Sequence, residues 1–251
     1  MIALDRALQP SGILEGDVKR GEAQAFARKL AGATMRACHD YRDGDLVHEE
    51  PFSDQLCGRL KETLHDFQTG SIAWQVDVAP GRGRLSARSL TKTKEEPVFG
   101  ADIVMTIDIE TSTESVRKGF LAQAKRLEPG KLLSNQEHRR LLDQCEKMVS
   151  FTPCSMVFLY HREGLQVIPA SAVLGSRHMD LWDIEAYPID ILYEDFGICW
   201  FGDMRIQATD PASLEGLRAM LDTRVAVRLA GRQAPDDAFE PEDFPDISDL
   251  F

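Results

Sequence analysis

Residues 100–127, GADIVMTIDIETSTESVRKGFLAQAKRL, decide how this chain is read. In the first part Ile103, Met105, Ile107 and Ile109 fall on one face of an extended strand, and Asp102, Val104, Thr106 and Asp108 on the other. Gly100 stands just before, where a missing side chain suits a bend or a close backbone approach. ETSTESVRKG reads as a polar turn region, and FLAQAKRL, 120–127, as a second strand. On that strand Gln123 and Lys125 are two residues apart and share a face, while Phe120, Ala122 and Ala124 turn away. Asp102 on the neighbouring strand can therefore meet Gln123 and Lys125.

Outward from this pair, the periodicity upstream predicts a helix over about 16–38 carrying Phe26, Leu30 and Ala33. A second helix over about 53–68 has Ser53 as its N-cap and a stripe of Leu56, Leu60, Leu64 and Phe67. Ile72, Trp74, Val76 and Val78 then alternate as a strand. Downstream, Leu141, Cys145 and Val149 mark a helix over about 135–149, and SMVFLY, 155–160, is apolar enough for a buried central strand. Beyond Pro169 the pattern gives a short helix at 189–196, a helix opened by Asp210 and Pro211, and a strand at 224–229. The expected organisation is an N-terminal helical region (1–48), an α/β core of helix, three strands, helix and strand (49–170), an α+β extension (171–232) and an acidic tail (233–251).

The five cysteines, Cys38, Cys57, Cys145, Cys154 and Cys199, form no CxxC pair and have no histidine at zinc-ligand spacing, so buried reduced thiols are expected. The start of the chain lacks a basic and an apolar leader region and no run is long enough for a membrane span, which gives a cytoplasmic expectation. A net charge of −12 argues at first against nucleic acid, but seven acids with no base lie in 233–251 and account for more than half of it. Arg82, Arg84, Arg88, Lys92 and Lys94, conversely, form a cationic run without an acid, either a solvated hairpin tip or a phosphate-contacting DNA-binding loop. No GxSxG, HxH or HExxH pattern occurs, and Trp182, Trp200 and Phe201 read as core residues. CWFGD, 199–203, is conspicuous without an assignable mechanism.

An aspartate and an amide oxygen are hard ligands suited to Mg²⁺, and a lysine beside them can orient an attacking water and steady phosphoryl charge. GAD at 100–102 and QAK at 123–125 resemble the PD-(D/E)xK nuclease superfamily in its QxK variant. The resemblance covers about 110 residues, and it implies a restriction endonuclease-like fold and phosphodiester hydrolysis of DNA. It further implies a metal on Asp102 and Gln123, Lys125 at the nucleophile, Mg²⁺ or alternatively Mn²⁺ as cofactor, and a place in bacterial defence against phage or plasmids. Gln123 in place of an acid leaves the site one negative charge short, so another carboxylate is wanted: Glu96, six residues before Asp102, or Glu50, just before the second helix. The alternative is a catalytically silent subunit of the same fold, binding through its basic loop and acidic tail. A homo-oligomer is compatible with either.

The tail interleaves its acids with Phe239 and Phe244 and ends in Asp249-Leu250-Phe251, so it either docks on a protein partner, competes with DNA for the basic run, or merely aids solubility. If it competes, deleting residues 233–251 tightens DNA binding more at low salt than at high salt, because screening lengths are about 8–10 Å near physiological ionic strength. Fluorescence anisotropy with labelled duplex at two salt concentrations measures this, and equal affinities at both would remove the competition.

Overall fold

In the computed structural model, residues 20–42, 52–80, 99–112, 115–161, 164–176 and 180–234 are described. They form a mixed α/β fold: six helices and one seven-stranded mixed sheet. The strands are β1 (Gln68–Thr69), β2 (Ile72–Pro80), β3 (Ile103–Glu110), β4 (Ser115–Arg126), β5 (Ser155–His161), β6 (Gly164–Pro169) and β7 (Val225–Gln233). Helices α1 (Arg20–Arg42), α2 (Phe52–Thr63) and α5 (Ile189–Gly197) pack on one face. On the other lie α3 (Asn135–Phe151), α4 (Ala170–Gly175) and α6 (Pro211–Leu221). No helix among the described residues is long and apolar enough to cross a membrane.

Alternation along the strands assigns each residue to its layer. Ile103, Met105, Ile107 and Ile109 join Phe120, Ala122 and Phe158 in the core under α1, α2 and α5. Val104, Leu121, Val157 and Leu159 meet Leu141, Cys145 and Met148 of α3 on the opposite side. Ser134 caps α3: its hydroxyl accepts from the Glu137 N–H while the Glu137 side chain accepts in return, a reciprocal capping box.

Sheet order is β1-β2-β7-β3-β4-β5-β6. Along the chain α2, β2, β3, β4, α3 and β5 keep the expected order of helix, three strands, helix and strand. In space, however, β2 and β3 are not neighbours: β7 lies between them, antiparallel to β2 and parallel to β3. The segment after residue 171 thus supplies a central strand.

Several boundaries differ from the sequence expectation, for physical reasons. ETSTESVRKG is mostly strand, because Val116 and Lys118 are buried and Arg117 bonds to Asp108 and Glu110 on the neighbouring strand. The second helix stops at Thr63 and turns at Asp66 (φ 55°) into β1, so Leu64 and Phe67 pack from beyond its end. Ser53 lies within that helix and is buried, which excludes it as the N-cap. Trp200 is 67% exposed and no part of the core, and Cys154 and Cys199 are only half-buried. Strand β6 and helix α4 were not anticipated.

CWFGD acquires a structural role as the start of the crossover between layers. Cys199 and Phe201 pack on the α5 side, whereas Ile206 and Ala208 belong to the α3/α6 side. The chain passes the edge of β4 where β5 has not yet begun, and Gly119 and Asp203 exchange backbone hydrogen bonds of 3.0 and 2.7 Å there. A Cβ at Gly119 would sit 2.6 Å from Ile206 Cγ2 and 2.7 Å from the Met105 carbonyl oxygen, so only glycine admits the crossing strand. Gly119→Ala is expected to lower stability by about 1–3 kcal/mol through overpacking, read as a reduced midpoint in urea unfolding at an unchanged m-value.

Candidate functional site

The backbone around Asp102 is pinned on both sides. Its N–H donates to the Ala122 carbonyl of β4 at 3.0 Å, and its carbonyl accepts from the Val225 N–H of β7 at 3.0 Å. Gly100, two residues earlier, has φ 71°, and a Cβ there would lie 2.6 Å from the Gln144 carbonyl oxygen of α3. The expected close approach is therefore real: α3 rests on the chain just before Asp102.

From this position Asp102 Oδ2 accepts the Ala124 N–H at 3.1 Å and a short hydrogen bond from Gln123 Nε2. Gln123 Nε2 also donates to the Ala124 carbonyl at 3.1 Å, so both contacts of its nitrogen are acceptors and the amide orientation is determined. Its Oε1 is left buried with no hydrogen-bond partner among the described residues. Lys125 projects from the same face, 18% exposed, with its Nζ 3.4 Å from Glu137 Oε1 on the first turn of α3.

Charge organises the surroundings. Burial pushes the Asp102 carboxyl up to about 6, against the opposing pull of the Ala124 N–H, the Arg224 and Arg140 charges and the Gln123 amide. Glu137 is held below the usual carboxylate range, first by the Ser134 hydroxyl and N–H and then by the Lys125 charge. Arg224 also lies 3.6 Å from Asp54 in the first turn of α2, so that turn belongs to the same end of the sheet as Asp102.

Gln123 thus meets Asp102 directly, while Lys125 shares their face and pairs with Glu137. Glu96, Glu50 and the basic residues Arg82, Arg84, Arg88, Lys92 and Lys94 lie outside the described residues, as does the acidic tail from 235. Sequence reasoning missed Glu137, Arg140 and Arg224. The first could be read only as a helix-capping residue, the fourth of Ser134-Asn135-Gln136-Glu137, and Arg140 follows it by one helical turn. Arg224 could not be placed without knowing that β7 runs beside β3.

As a test of fit to a hard cation, the site offers the Asp102 carboxylate and the orphaned amide oxygen of Gln123. Among the described residues no three His, Cys, Asp or Glu side chains gather at one point. The set is therefore short of acid, and Glu137 is the carboxylate that meets Lys125. No protein-family profile, curated protein or solved structure matches this chain.

The raised Asp102 carboxyl has a consequence for stability. Its folded-state value, about 6, exceeds the ordinary 3.8, so the folded protein binds this proton more tightly and loses stability as pH rises through that interval. In metal-free protein, Asp102→Asn should raise stability at pH 7 by about 2–3 kcal/mol, since each tenfold change in proton affinity is worth about 1.4 kcal/mol. The gain should vanish below about pH 4, as thermal unfolding in EDTA at both pH values will show.

Proposed function

We propose that this protein is a metal-dependent nuclease of the PD-(D/E)xK type that hydrolyses phosphodiester bonds in DNA. The observation that carries the reading is the buried, unpartnered amide oxygen of Gln123 beside the Asp102 carboxylate, with Lys125 on the same face. Magnesium, held by Asp102 and Gln123 Oε1, would supply Lewis-acid polarisation of a phosphoryl oxygen and a more acidic water. Glu137 is the acid we assign in place of the one that Gln123 replaces. Glu96 and Glu50 remain candidates for the same charge.

The chain's own groups divide the work. Asp102, fixed by two backbone hydrogen bonds and the Ala124 N–H, presents its remaining carboxylate oxygen at a set position. Lys125 orients the attacking water and receives developing negative charge, and Glu137 keeps the lysine turned toward the site. Arg140 and Arg224 place positive charge about Asp102, which favours a polyanionic substrate in a protein whose net charge is −12. Double-stranded DNA as substrate, bacterial defence as context and the cytoplasm as compartment come from the family resemblance alone.

A second reading is a silent nuclease-fold subunit. The Gln123–Asp102 bond favours it, because one carboxylate oxygen is already saturated by two donors. Incubating the protein with supercoiled plasmid in Mg²⁺ and in EDTA separates the two. Cleavage in Mg²⁺ alone is expected. Asp102→Ala and Lys125→Ala should each lower its rate on the order of 100-fold or more with circular dichroism unchanged, the loss of one electrostatic stabiliser. Glu137→Gln should weaken Mg²⁺ binding in calorimetry. Absence of both cleavage and metal binding in the wild-type chain would leave the silent subunit.

A further inference from the structure

On the other face of β4, away from the candidate nuclease site, the apolar layer contains a lysine. Lys118 lies on the same face as Val116 and Phe120 and is 3% exposed. Lysines are almost never buried this far without a paired acid, yet among the described residues no carboxylate lies within ion-pair distance of Lys118, and Asp195 acts on it only through space. Its Nζ donates to the Phe201 carbonyl, stands 5.3 Å from the centre of the Phe196 ring and neighbours the Cys199 thiol, which lies two residues before Phe201 and itself points to the Gly197 carbonyl at 3.8 Å. Burial pushes the ammonium down to about 8, so a fraction of the amine is neutral and nucleophilic near neutral pH.

The partner thiol is equally unusual. Three described residues other than glycine have positive φ: Asp66, Asp222 and Cys199. Aspartate tolerates that region, whereas cysteine does not choose it, and Cys199 at φ 68° is held there by the crossover around it. It is half-buried, beside a buried cation, and begins the CWFGD segment. A partly exposed thiol next to a lysine is the setting in which cysteine is oxidised selectively. Cys154, the other half-buried thiol here, accepts a hydrogen bond from the Gly202 N–H and also feels the Lys118 charge, so it is the thiol from which the test must distinguish Cys199.

We propose that Lys118 and Cys199 form an oxidant-dependent covalent cross-link between β4 and the crossover, a sulfenamide joining Nζ to Sγ. Peroxide is the oxidant. In the first step Cys199–SH and H₂O₂ give Cys199–SOH and water, the sulfur losing two electrons to the peroxide oxygen. In the second the lone pair of the neutral Lys118 amine attacks that sulfur, the N–S bond forms, and hydroxide leaves with an amine proton as a second water. A small thiol reverses it by attacking sulfur, which releases the amine and leaves a mixed disulfide. The cross-link is independent of the nuclease reading, since it uses none of those residues.

The test is peptide mapping of the full-length protein after treatment with dilute hydrogen peroxide. Remaining thiols are alkylated, and digestion is done without reductant by a protease that cuts at acidic residues. The expected product joins the Lys118 and Cys199 peptides at about 2 Da below their summed reduced masses, the loss of two hydrogens. It should persist in Cys154→Ser, disappear in Cys199→Ser, and revert with dithiothreitol. A Cys154–Cys199 disulfide in its place, Cys199 carried only to sulfinic or sulfonic acid, or an unmodified Cys199 would each overturn the proposal.

Discussion

Strand β3 is buried on both faces from Ile103 to Ile109, and the rest of the fold is the means of covering it. A strand in that position needs hydrogen-bonding neighbours on both edges, which β4 and β7 provide, and a helical layer above and below. Its apolar side chains divide between two cores: isoleucines and a methionine meet α1, α2 and α5, and Val104 meets the layer of α3 and α6. Asp108 near one end of the second face is fully buried with them, and Asp102, just before the strand begins, is half-buried.

The two aspartates show how neighbours decide the fate of a buried carboxylate. Asp108 is fully buried, but Arg232, Arg228 and Arg117 bond to it, and their hydrogen bonds and charges overcome desolvation and hold it below the ordinary range. Asp102, just before β3, receives neutral donors from Gln123 and the Ala124 N–H among the described residues and feels Arg224 and Arg140 through space, so desolvation wins and its carboxyl rises. The first arrangement is structural and self-neutralising. The second leaves a carboxylate whose charge is only partly compensated, the condition under which a buried acid's affinity for its proton rises.

How much was legible in the sequence follows from the range of each interaction. Alternation in GADIVMTIDI and QAK placed Asp102, Gln123 and Lys125 on one face correctly, because strand period and hairpin proximity are local properties. Gly100 was likewise legible, since few positions outside close approach call for a bare backbone before a buried strand. Illegible were the features set by distant segments. The polar residues of SVRKG looked like a turn because their partners, Asp108, Glu110 and the crossover after α5, are supplied by folding. Nothing in RVAVRL announces that it enters between β2 and β3. Glu137 was hidden because its spacing identifies a helix cap, and only the packing of α3 on β4 turns that cap toward Lys125.

The central position of β7 also governs the order in which the molecule can be made. During synthesis β2 and β3 emerge well before residues 225–233, and each then carries an unpaired edge lined with apolar side chains. The hairpin of β3 and β4 can form at once, and β5 can join it through α3, but the sheet stays in two pieces until its last strand is threaded between them. Closure therefore comes late and depends on contacts remote in sequence, a topology that folds slowly and exposes edges to other nascent chains meanwhile. The strand that completes the sheet is also the one that brings Arg224 beside Asp102, so the site's electrostatic field is assembled only at that final step.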